Sequence, residues 1–522
     1  MWYCVFLVFL PASLAFQLPF HLPFLTRNQT LTKPTGPGHV VNDIPRVAII
    51  GAGAGGSSAA FWISKAKERF NVSVEVDVYE KASYIGGRSI TVYPYGNSSL
   101  PPLELGASVF VAANKNLWRA SDEFNLTRQA FGAGGRRGVW DGEDLVFTFG
   151  DSWWDTIKAL VRYGVLAHKR TQQIVKAVVE RYLTIYSLDS PNWDSIADIS
   201  AALDYSNMTR DTATSFFAQV GVAKRFASEL IEGATRVNYG QNLDDIHALG
   251  GIVSLATDDA RGIKGGNFQL FEQFLKRSGA HVHLNTQVSN ISVSTSPSTQ
   301  WTIKSSLGEK NYKAVILAAP FHSTGIAIPP SLADSIPEQP YVHLHVTLLT
   351  TTSPKPNPTY FKQQSASILP EMTLTTYEGV RNGKKEPEFM SLSYHGLVRE
   401  GEWAVKIFSK QRISDELLIR LFSDQVSWIY RTEWDAYPKL TPTTTFPPVK
   451  VNRAFYYVNA FEPFISTMET QTVAARNVVD LLLREEFGAS ICGSHLPILN
   501  SPGNVPITTT HQLQDFVLGW DC

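Results

Sequence analysis

Gly51, Gly53 and Gly56 stand in G-x-G-x-x-G spacing in this 522-residue chain, and Glu80 follows at the distance expected of a ribose-binding acid. Glycines so spaced allow a tight turn, let backbone approach a pyrophosphate, and bring the next helix close to a sheet. That helix then directs its free N–H groups and positive dipole end at the phosphates. A carboxylate at Glu80 accepts hydrogen bonds from both ribose hydroxyls. Together these residues describe a grip on a dinucleotide.

The elements that must position them are legible on either side. Val47-Ala48-Ile49-Ile50 is an apolar run suited to a strand buried on both faces of a parallel sheet. Ser57, Ser58, Ala59 and Ala60 are small enough to continue a closely packed helix, and an alternating run from Val72 to Tyr79 supplies the second strand, ending at Glu80. Strand, glycines, helix, strand and acid come in the order a dinucleotide fold requires. A glycine turn that only packs would leave Glu80 unexplained.

A second glycine pair follows in Ile85-Gly86-Gly87-Arg88, and Glu104-Leu105-Gly106-Ala107 comes after it. This pairing resembles flavoproteins of the amine-oxidase type, in which the second pair and its Arg hold the FAD diphosphate from the other side. The resemblance implies non-covalently bound FAD, with Gly51, Gly53, Gly56, Glu80, Gly87 and Arg88 as contacts. It also implies that Val288 packs beside the adenine. Met468 and Glu469, where a loop feeds a helix N-terminus, suit the flavin's electron-rich end or the diphosphate.

At 522 residues, two or three domains are expected. A formal charge of -1 with 18% charged residues suggests neither nucleic acid nor an anionic membrane as a partner. Residues 1–15 are apolar and close on Ser13-Leu14-Ala15, a cleavable secretory signal, although the positive charge usual at its start is missing. A buried N-terminal helix is the alternative. A Pro-rich linker (16–44) comes next. Six N-x-S/T acceptors, Asn28, Asn71, Asn97, Asn125, Asn207 and Asn290, fit N-glycosylation in the secretory pathway, with a lysosome, a vacuole or the exterior as destination. No later apolar run is long enough to span a bilayer. Cys492 and Cys522 could pair in an oxidising compartment. No metal site is expected, since His343 and His345 share a strand face without a third ligand in the sequence nearby.

The fold class expected is α/β: a discontinuous Rossmann-like nucleotide domain (45–110, 263–325 and 451–487) with an inserted α+β substrate domain (111–262 and 326–450) and an irregular tail (488–522). Ser152 to Tyr186 has helical periodicity, as one helix or two broken near Gly164. It reads as a cap packed on the second domain, with a membrane-surface helix as the sharper idea. Helices are also expected over Asp211 to Leu230 and Asp415 to Tyr430. Arg236 to Asp244 has no clear period, and Asn238, Tyr239 and Gln241 within it are candidates for the substrate side. A hydrogen-bonded structural loop is the alternative for that segment.

Several passages narrow the reading. Arg236 to Leu243 (RVNYGQNL), Lys264 to Asn267 (KGGN), Trp434 to Pro438 (WDAYP), Phe455 to Asn459 (FYYVN), Met468-Glu469 and Ala474 to Asn477 (AARN) resemble the prenylcysteine oxidase (prenylcysteine lyase) family. The resemblance implies an FAD-dependent thioether oxidase whose substrates are O2 and farnesyl- or geranylgeranyl-cysteine. Hydride leaves the allylic carbon beside sulfur for the flavin, water adds to the resulting cation, and the hemithioacetal collapses to cysteine and a prenyl aldehyde. Oxygen leaves as hydrogen peroxide. Such chemistry asks little of side chains, because the cofactor carries the electronic work. Alternatives on the same scaffold are an amine or amino-acid oxidase and a non-catalytic isoprenoid-binding flavoprotein.

Overall fold

A computed structural model of the chain describes residues 44–130, 135–150, 152–190, 192–296, 299–492 and 516–522. The leader and all of the Pro-rich segment except Ile44 lie outside the described residues, as does Asn28. The apolar run at the front becomes β1 (Arg46–Ile50), buried after Arg46 because neighbours cover both of its faces. It joins β2 (Glu75–Tyr79), β3 (His281–His283), β4 (Ala314–Leu317), β5 (Lys450–Asn452) and β6 (Phe455–Tyr457) in one sheet of order β5-β6-β4-β1-β2-β3. All pairings are parallel except β5 with β6. The strands thus come from three separate stretches of chain, and the fold class is the α/β nucleotide-binding one expected.

Register decides what this sheet can do. Ile50 pairs with Tyr79 on one side and with Leu317 on the other, so Gly51, Glu80 and Ala318 leave the sheet together at its carboxyl edge. That edge is where parallel sheets of this kind receive ligands.

Six helices recur below: α1 (Ala54–Phe70), α2 (Lys115–Glu123), α3 (Trp153–Tyr163), α4 (Val165–Leu183), α5 (Phe268–Ser278) and α6 (Met468–Phe487). α1 is buried along most of its length between α5 and α6. Phe61 stacks at a tilt on Phe274 of α5 with ring centroids 5.0 Å apart, and Trp62 Nε1 donates to the Thr472 carbonyl of α6 at 3.3 Å. The helix starts as close to β1 as backbone allows. A Cβ built on Gly56 would lie 1.8 Å from the Gly51 carbonyl oxygen.

The inserted domain is built on a seven-stranded sheet. Its strands, in spatial order, are Val426–Pro438, Tyr341–Thr351, Glu402–Ser409, Ser391–Arg399, Met372–Thr375, Arg137–Trp140 and Leu145–Phe149. Three sequence expectations are corrected here. The helix expected over Asp415 to Tyr430 stops at Phe422, where Ser423 and Asp424 both take left-handed conformations. Beyond them Val426–Pro438 is one long strand, consistent with its alternating aromatic and β-branched residues. The helix expected over Asp211 to Leu230 breaks at Gly221, and the chain regains helix through a π turn at Ala227–Ile231. That second helix runs on to Tyr239 and ends at left-handed Gly240, so Arg236 to Tyr239 are helical and not irregular.

Gly164 separates α3 from α4, as the sequence allowed. The burial expected of α3 is not found: Trp154, Ile157, Leu160 and Val161 are exposed, while Asp155 and Tyr163 face inward. The tail also differs from expectation at its end. Trp520 packs against Phe61, Trp62 and Phe124, and Cys522 is disulfide-bonded to Cys492. Buried aromatic surface anchors these last residues onto α1.

His247 ties the insert to the nucleotide domain. Its Nδ1 accepts from the Gly250 N–H at 2.9 Å, capping the helix Ala248–Val253, and its Nε2 lies 3.2 Å from the Pro463 carbonyl. Burial holds the ring's pKa down at about 4.

Two outcomes follow from these contacts. Gly56→Ala forces the helix off the strand and should lower the unfolding free energy by about 3 kcal/mol, read as a shift of the urea midpoint. His247 in the unfolded chain takes a proton below its ordinary 6.5, whereas the folded protein resists until about 4. Stability is therefore lost as pH falls through that window, by up to about 3 kcal/mol from this group. His247→Asn keeps an N-cap acceptor and should flatten the acid slope by close to one proton when urea titrations at pH 7 and pH 4.5 are compared.

Candidate active site

The carboxyl edge of the parallel sheet opens into a cavity of about 1210 Å³. That exceeds the ~300–1,000 Å³ of ordinary single-ligand pockets. Gly51, Gly53, Glu80, Gly87, Arg88 and Val288 all line it. Gly56 does not, because its work is the helix-to-strand contact. Gly53 and Gly87 face one another: a Cβ on Gly53 would sit 3.7 Å from the Gly87 Cα, and one on Gly87 would sit 3.3 Å from the Gly53 Cα. The two glycine loops touch through backbone, joined by the Gly53–Gly86 bridge and by the Gly86 N–H donating to the Ala52 carbonyl at 3.0 Å, and together they form a wall of the cavity that carries no side chains. α1 begins at Gly53 without a side-chain cap, and Gly53, Ala54 and Gly55 line the cavity, so the positive end of the helix is presented to it.

Glu80 is held in place by the loop it serves. Its two carboxylate oxygens accept from the Ala52 and Ala82 N–H groups, each at 2.8 Å. Each oxygen keeps a further lone pair for a ribose hydroxyl.

Two expected cofactor contacts are engaged otherwise. The Arg88 guanidinium donates to the Ala436 carbonyl at 3.0 Å, pairs with the buried Glu462 carboxylate and lies over the Tyr341 ring. Its charge is therefore already met by Glu462, and it braces the cavity wall where a diphosphate contact was expected. Met468 and Glu469 line the cavity at the start of α6. The Glu469 carboxylate, however, caps α2, accepting from the Asn116 and Leu117 N–H groups at 2.8 and 2.9 Å and from the Tyr186 hydroxyl. Burial raises its pKa to about 7.

Among the substrate-side candidates, Asn238 and Tyr239 line the cavity from the last turn of their helix. Asn238 Nδ2 donates to the Ser254 carbonyl at 3.0 Å, and the Tyr239 hydroxyl donates to the Ser466 carbonyl at 3.2 Å. Gln241 is corrected. Its Nε2 donates to the carbonyls of Tyr239 and Pro438 and its Oε1 accepts from the Leu440 N–H, so the amide ties two loops together away from the cavity lining.

Five lining residues were not singled out from the sequence. Ser89 Oγ, Tyr394 Oη, Trp434 Nε1, Asn459 Oδ1 and Gln471 Nε2 are buried without a hydrogen-bond partner among the described residues. Buried polar atoms carry a desolvation cost unless something satisfies them, and five around one cavity fit a polar ligand. Trp434 and Asn459 lay in passages that carried the family resemblance; Ser89, Tyr394 and Gln471 gave no signal. Lys406 and His395 also line the cavity from neighbouring strands. Lys406 Nζ donates to the Glu104 carbonyl and to Ser108 Oγ, at 3.1 and 3.0 Å. Burial lowers the pKa of Lys406 and raises that of the nearby Glu104 carboxyl. His395 is held neutral, at about 3, also by burial.

Folding also supplies the third group that the sequence did not place near His343 and His345. Glu433, on the adjacent strand, brings a carboxylate oxygen within 4.8 Å of a nitrogen of each histidine. His345 Nδ1 lies 3.1 Å from it and His343 Nδ1 lies 3.2 Å from Asp435, contacts that satisfy these exposed groups as ion pairs or hydrogen bonds.

The backbone wall of the two glycine loops, the open helix end, the ribose acid and the five unpartnered polar atoms fit FAD, and the site is that of an FAD-dependent oxidoreductase with the amine-oxidase fold. Solved structures share the architecture: putrescine oxidase bound to putrescine superimposes with a TM-score of 0.57 over 84% of this chain and 99% of its own, at 14% identity. Cyclohexylamine oxidase from Brevibacterium oxydans IH-35A gives 0.55 over 85% and 99%, also at 14%. A model of the NAD(P)-binding Rossmann-like domain matches residues 49–124, and a model of prenylcysteine lyase matches residues 148–490. The chain belongs to the prenylcysteine lyase family. Similar curated proteins are a farnesylcysteine lyase from Arabidopsis thaliana, 30% identical over 85% of this chain and 90% of the relative, and human prenylcysteine oxidase 1, 27% identical over 83% and 87%.

The glycine wall at Gly53 separates folding from cofactor binding. A Cβ at Gly53 meets the protein only at ordinary contact distance, so Gly53→Val should fold while its methyls fill cavity space beside the start of α1. We expect colourless protein, with flavin absorbance down at least about tenfold and the unfolding midpoint of the apoprotein within about 0.5 kcal/mol of the parent's.

Proposed function

We propose that this protein oxidises the thioether of prenylcysteines, releasing cysteine, a prenyl aldehyde and hydrogen peroxide at the expense of O2 and water. The observation that carries the reading is that one cavity joins the glycine-walled nucleotide cradle to an apolar wall from the insert, including Val178, Leu230, Val237, Ile252, Leu255 and Leu374. FAD, when bound, supplies the two-electron acceptor for the carbon beside sulfur. Gly51, Gly53, Gly87 and the start of α1 would hold its diphosphate, Glu80 its ribose, and Val288 its adenine. Ser89, Trp434, Asn459 and Gln471 would orient its polar edges.

The remaining work is binding, alignment and exclusion of other nucleophiles. An isoprenoid against the apolar wall contributes roughly 0.8 kcal/mol per buried methylene, so affinity needs no charge. Asn238 and Tyr239, each fixed by a hydrogen bond to a backbone carbonyl, serve as positioning groups. Lys406, its proton affinity reduced by burial, can deliver a proton to the departing sulfur.

We further infer an oxidising, secretory location. Its support is the disulfide between Cys492 and Cys522 and the exposure of Asn71, Asn97, Asn125 and Asn207; Asn290 is half-buried. No helix among the described residues is long and apolar enough to cross a membrane.

The test is a substrate panel in air. Deglycosylated holoprotein should form peroxide and prenyl aldehyde in equal amounts from farnesylcysteine and neither from benzylamine or a polyamine. Turnover of an amine but no thioether would favour the amine-oxidase alternative. Tight binding of farnesylcysteine with no bleaching of the flavin under anaerobic conditions would mark a non-catalytic binder.

A further inference from the structure

Seven of the nineteen large apolar side chains exposed among the described residues fall between Trp153 and Leu166. Trp153 and Trp154 are 61% and 57% exposed and stack on each other at 3.9 Å, while Val161 is 82% exposed and Val165 and Leu166 are each 62%. These residues run from the first turn of α3 to the start of α4, on either side of the Gly164 joint. An apolar patch so concentrated on a described surface marks a contact face.

The helix pair is fastened to the body by polar groups on its other side. Arg162 makes two hydrogen bonds of 2.7 Å to the Glu229 carboxylate, which also accepts from the Tyr163 hydroxyl at 2.8 Å. Asp155 accepts from Ser152 at 2.7 Å and lies 3.8 Å from Arg136. These inward ties hold the apolar side outward.

Two further observations identify what the face would meet. Besides the inward Arg162, Lys158, Lys169, Arg170 and Lys176 are exposed between Trp153 and Lys176 against one acid, the inward Asp155, in a chain whose formal charge is -1. Tryptophan and apolar side chains bordered by lysine and arginine suit the boundary between headgroups and acyl chains. The cavity lining, moreover, reaches the exposed His168, one turn beyond Val165, and includes Val178 and Tyr182 farther along α4. The Val165–Leu166 end of the apolar face and part of the cavity wall therefore share α4.

We propose that α3 and the first turns of α4 dock on an anionic lipid bilayer, seating the His168 end of the cavity at the membrane surface. The bilayer's place as the source of a lipid substrate rests on the proposed function; the docking does not. The chain lies on the membrane by this contact and does not cross it.

Flotation of the holoprotein with vesicles of phosphatidylcholine, alone or mixed with phosphatidylserine, tests the docking without using catalysis. Binding should be stronger to the mixed vesicles and weaken as salt is raised. The triple variant Trp153→Ser, Trp154→Ser, Val161→Ser should lose at least about tenfold in partitioning, and Lys158→Glu with Lys169→Glu should lose the preference for phosphatidylserine. Flavin absorbance and turnover of farnesylcysteine free in solution should stay unchanged. Val161→Ser alone, at a site with no packing to lose, provides a second variant that should weaken binding measurably. Failure of the parent protein to float with either vesicle overturns the proposal, as does binding of the triple variant equal to the parent's. Sedimentation velocity completes the test: a parent dimer that the triple variant converts to monomer would assign the face to a second copy of the chain and overturn docking on lipid. A parent that stays monomeric while floating would support it.

Discussion

The start of α1 lies so close to the end of β1 that the carbonyl oxygen of Gly51 occupies the space where any side chain at position 56 would begin. That approach brings the helix's positive end to the mouth of the sheet, aligns it with Glu80 across two paired strands, and seats the Gly53 loop against Gly86 and Gly87 so that the cavity meets bare backbone there. Because a dinucleotide is recognised through its phosphates and ribose, backbone N–H groups and one carboxylate suffice for most of the grip. The rest of the chain serves to support this wall and to build a second compartment next to it.

That second compartment explains the broken order of the sheet. Strands return to the nucleotide domain after each excursion, and the excursions carry the apolar wall, the helix bearing Asn238 and Tyr239, and the strands bearing His395 and Lys406 to the same cavity. Arg88 and Glu469 show how much of the polar inventory goes to holding this assembly: one neutralises Glu462 beneath Tyr341, the other caps α2. Atoms left without partners, at Ser89, Tyr394, Trp434, Asn459 and Gln471, are then the ones available to a cofactor. A buried charge that has its partner avoids the cost of standing alone, and a buried dipole without one can be satisfied by a ligand.

α3 carries a conflict between two uses of one pattern. Apolar residues at steps of three and four are what a core-facing helix shows, and also what a helix lying on a membrane shows. The deciding contacts are Arg162 and Tyr163 with Glu229 and Asp155 with Arg136, which turn the opposite side inward. The proposed docking would set the α4 end of the cavity at the source of an apolar substrate.

Local chemistry in the amino-acid sequence was enough to specify the nucleotide grip, its strands and the joint at Gly164, because turns and glycine spacing act over a few neighbouring residues. The family passages pointed toward Trp434 and Asn459 without assigning them a task. Long-range packing decided the rest: that Gln241 ties loops and faces away from the cavity, that Val426–Pro438 extends as a strand, that Trp520 closes over α1, and that Glu433 arrives beside two histidines. In each case the partner is contributed by a segment distant in the chain or by a neighbouring strand, and only a folded backbone determines which polar group a side chain meets and which face of a helix is left outside.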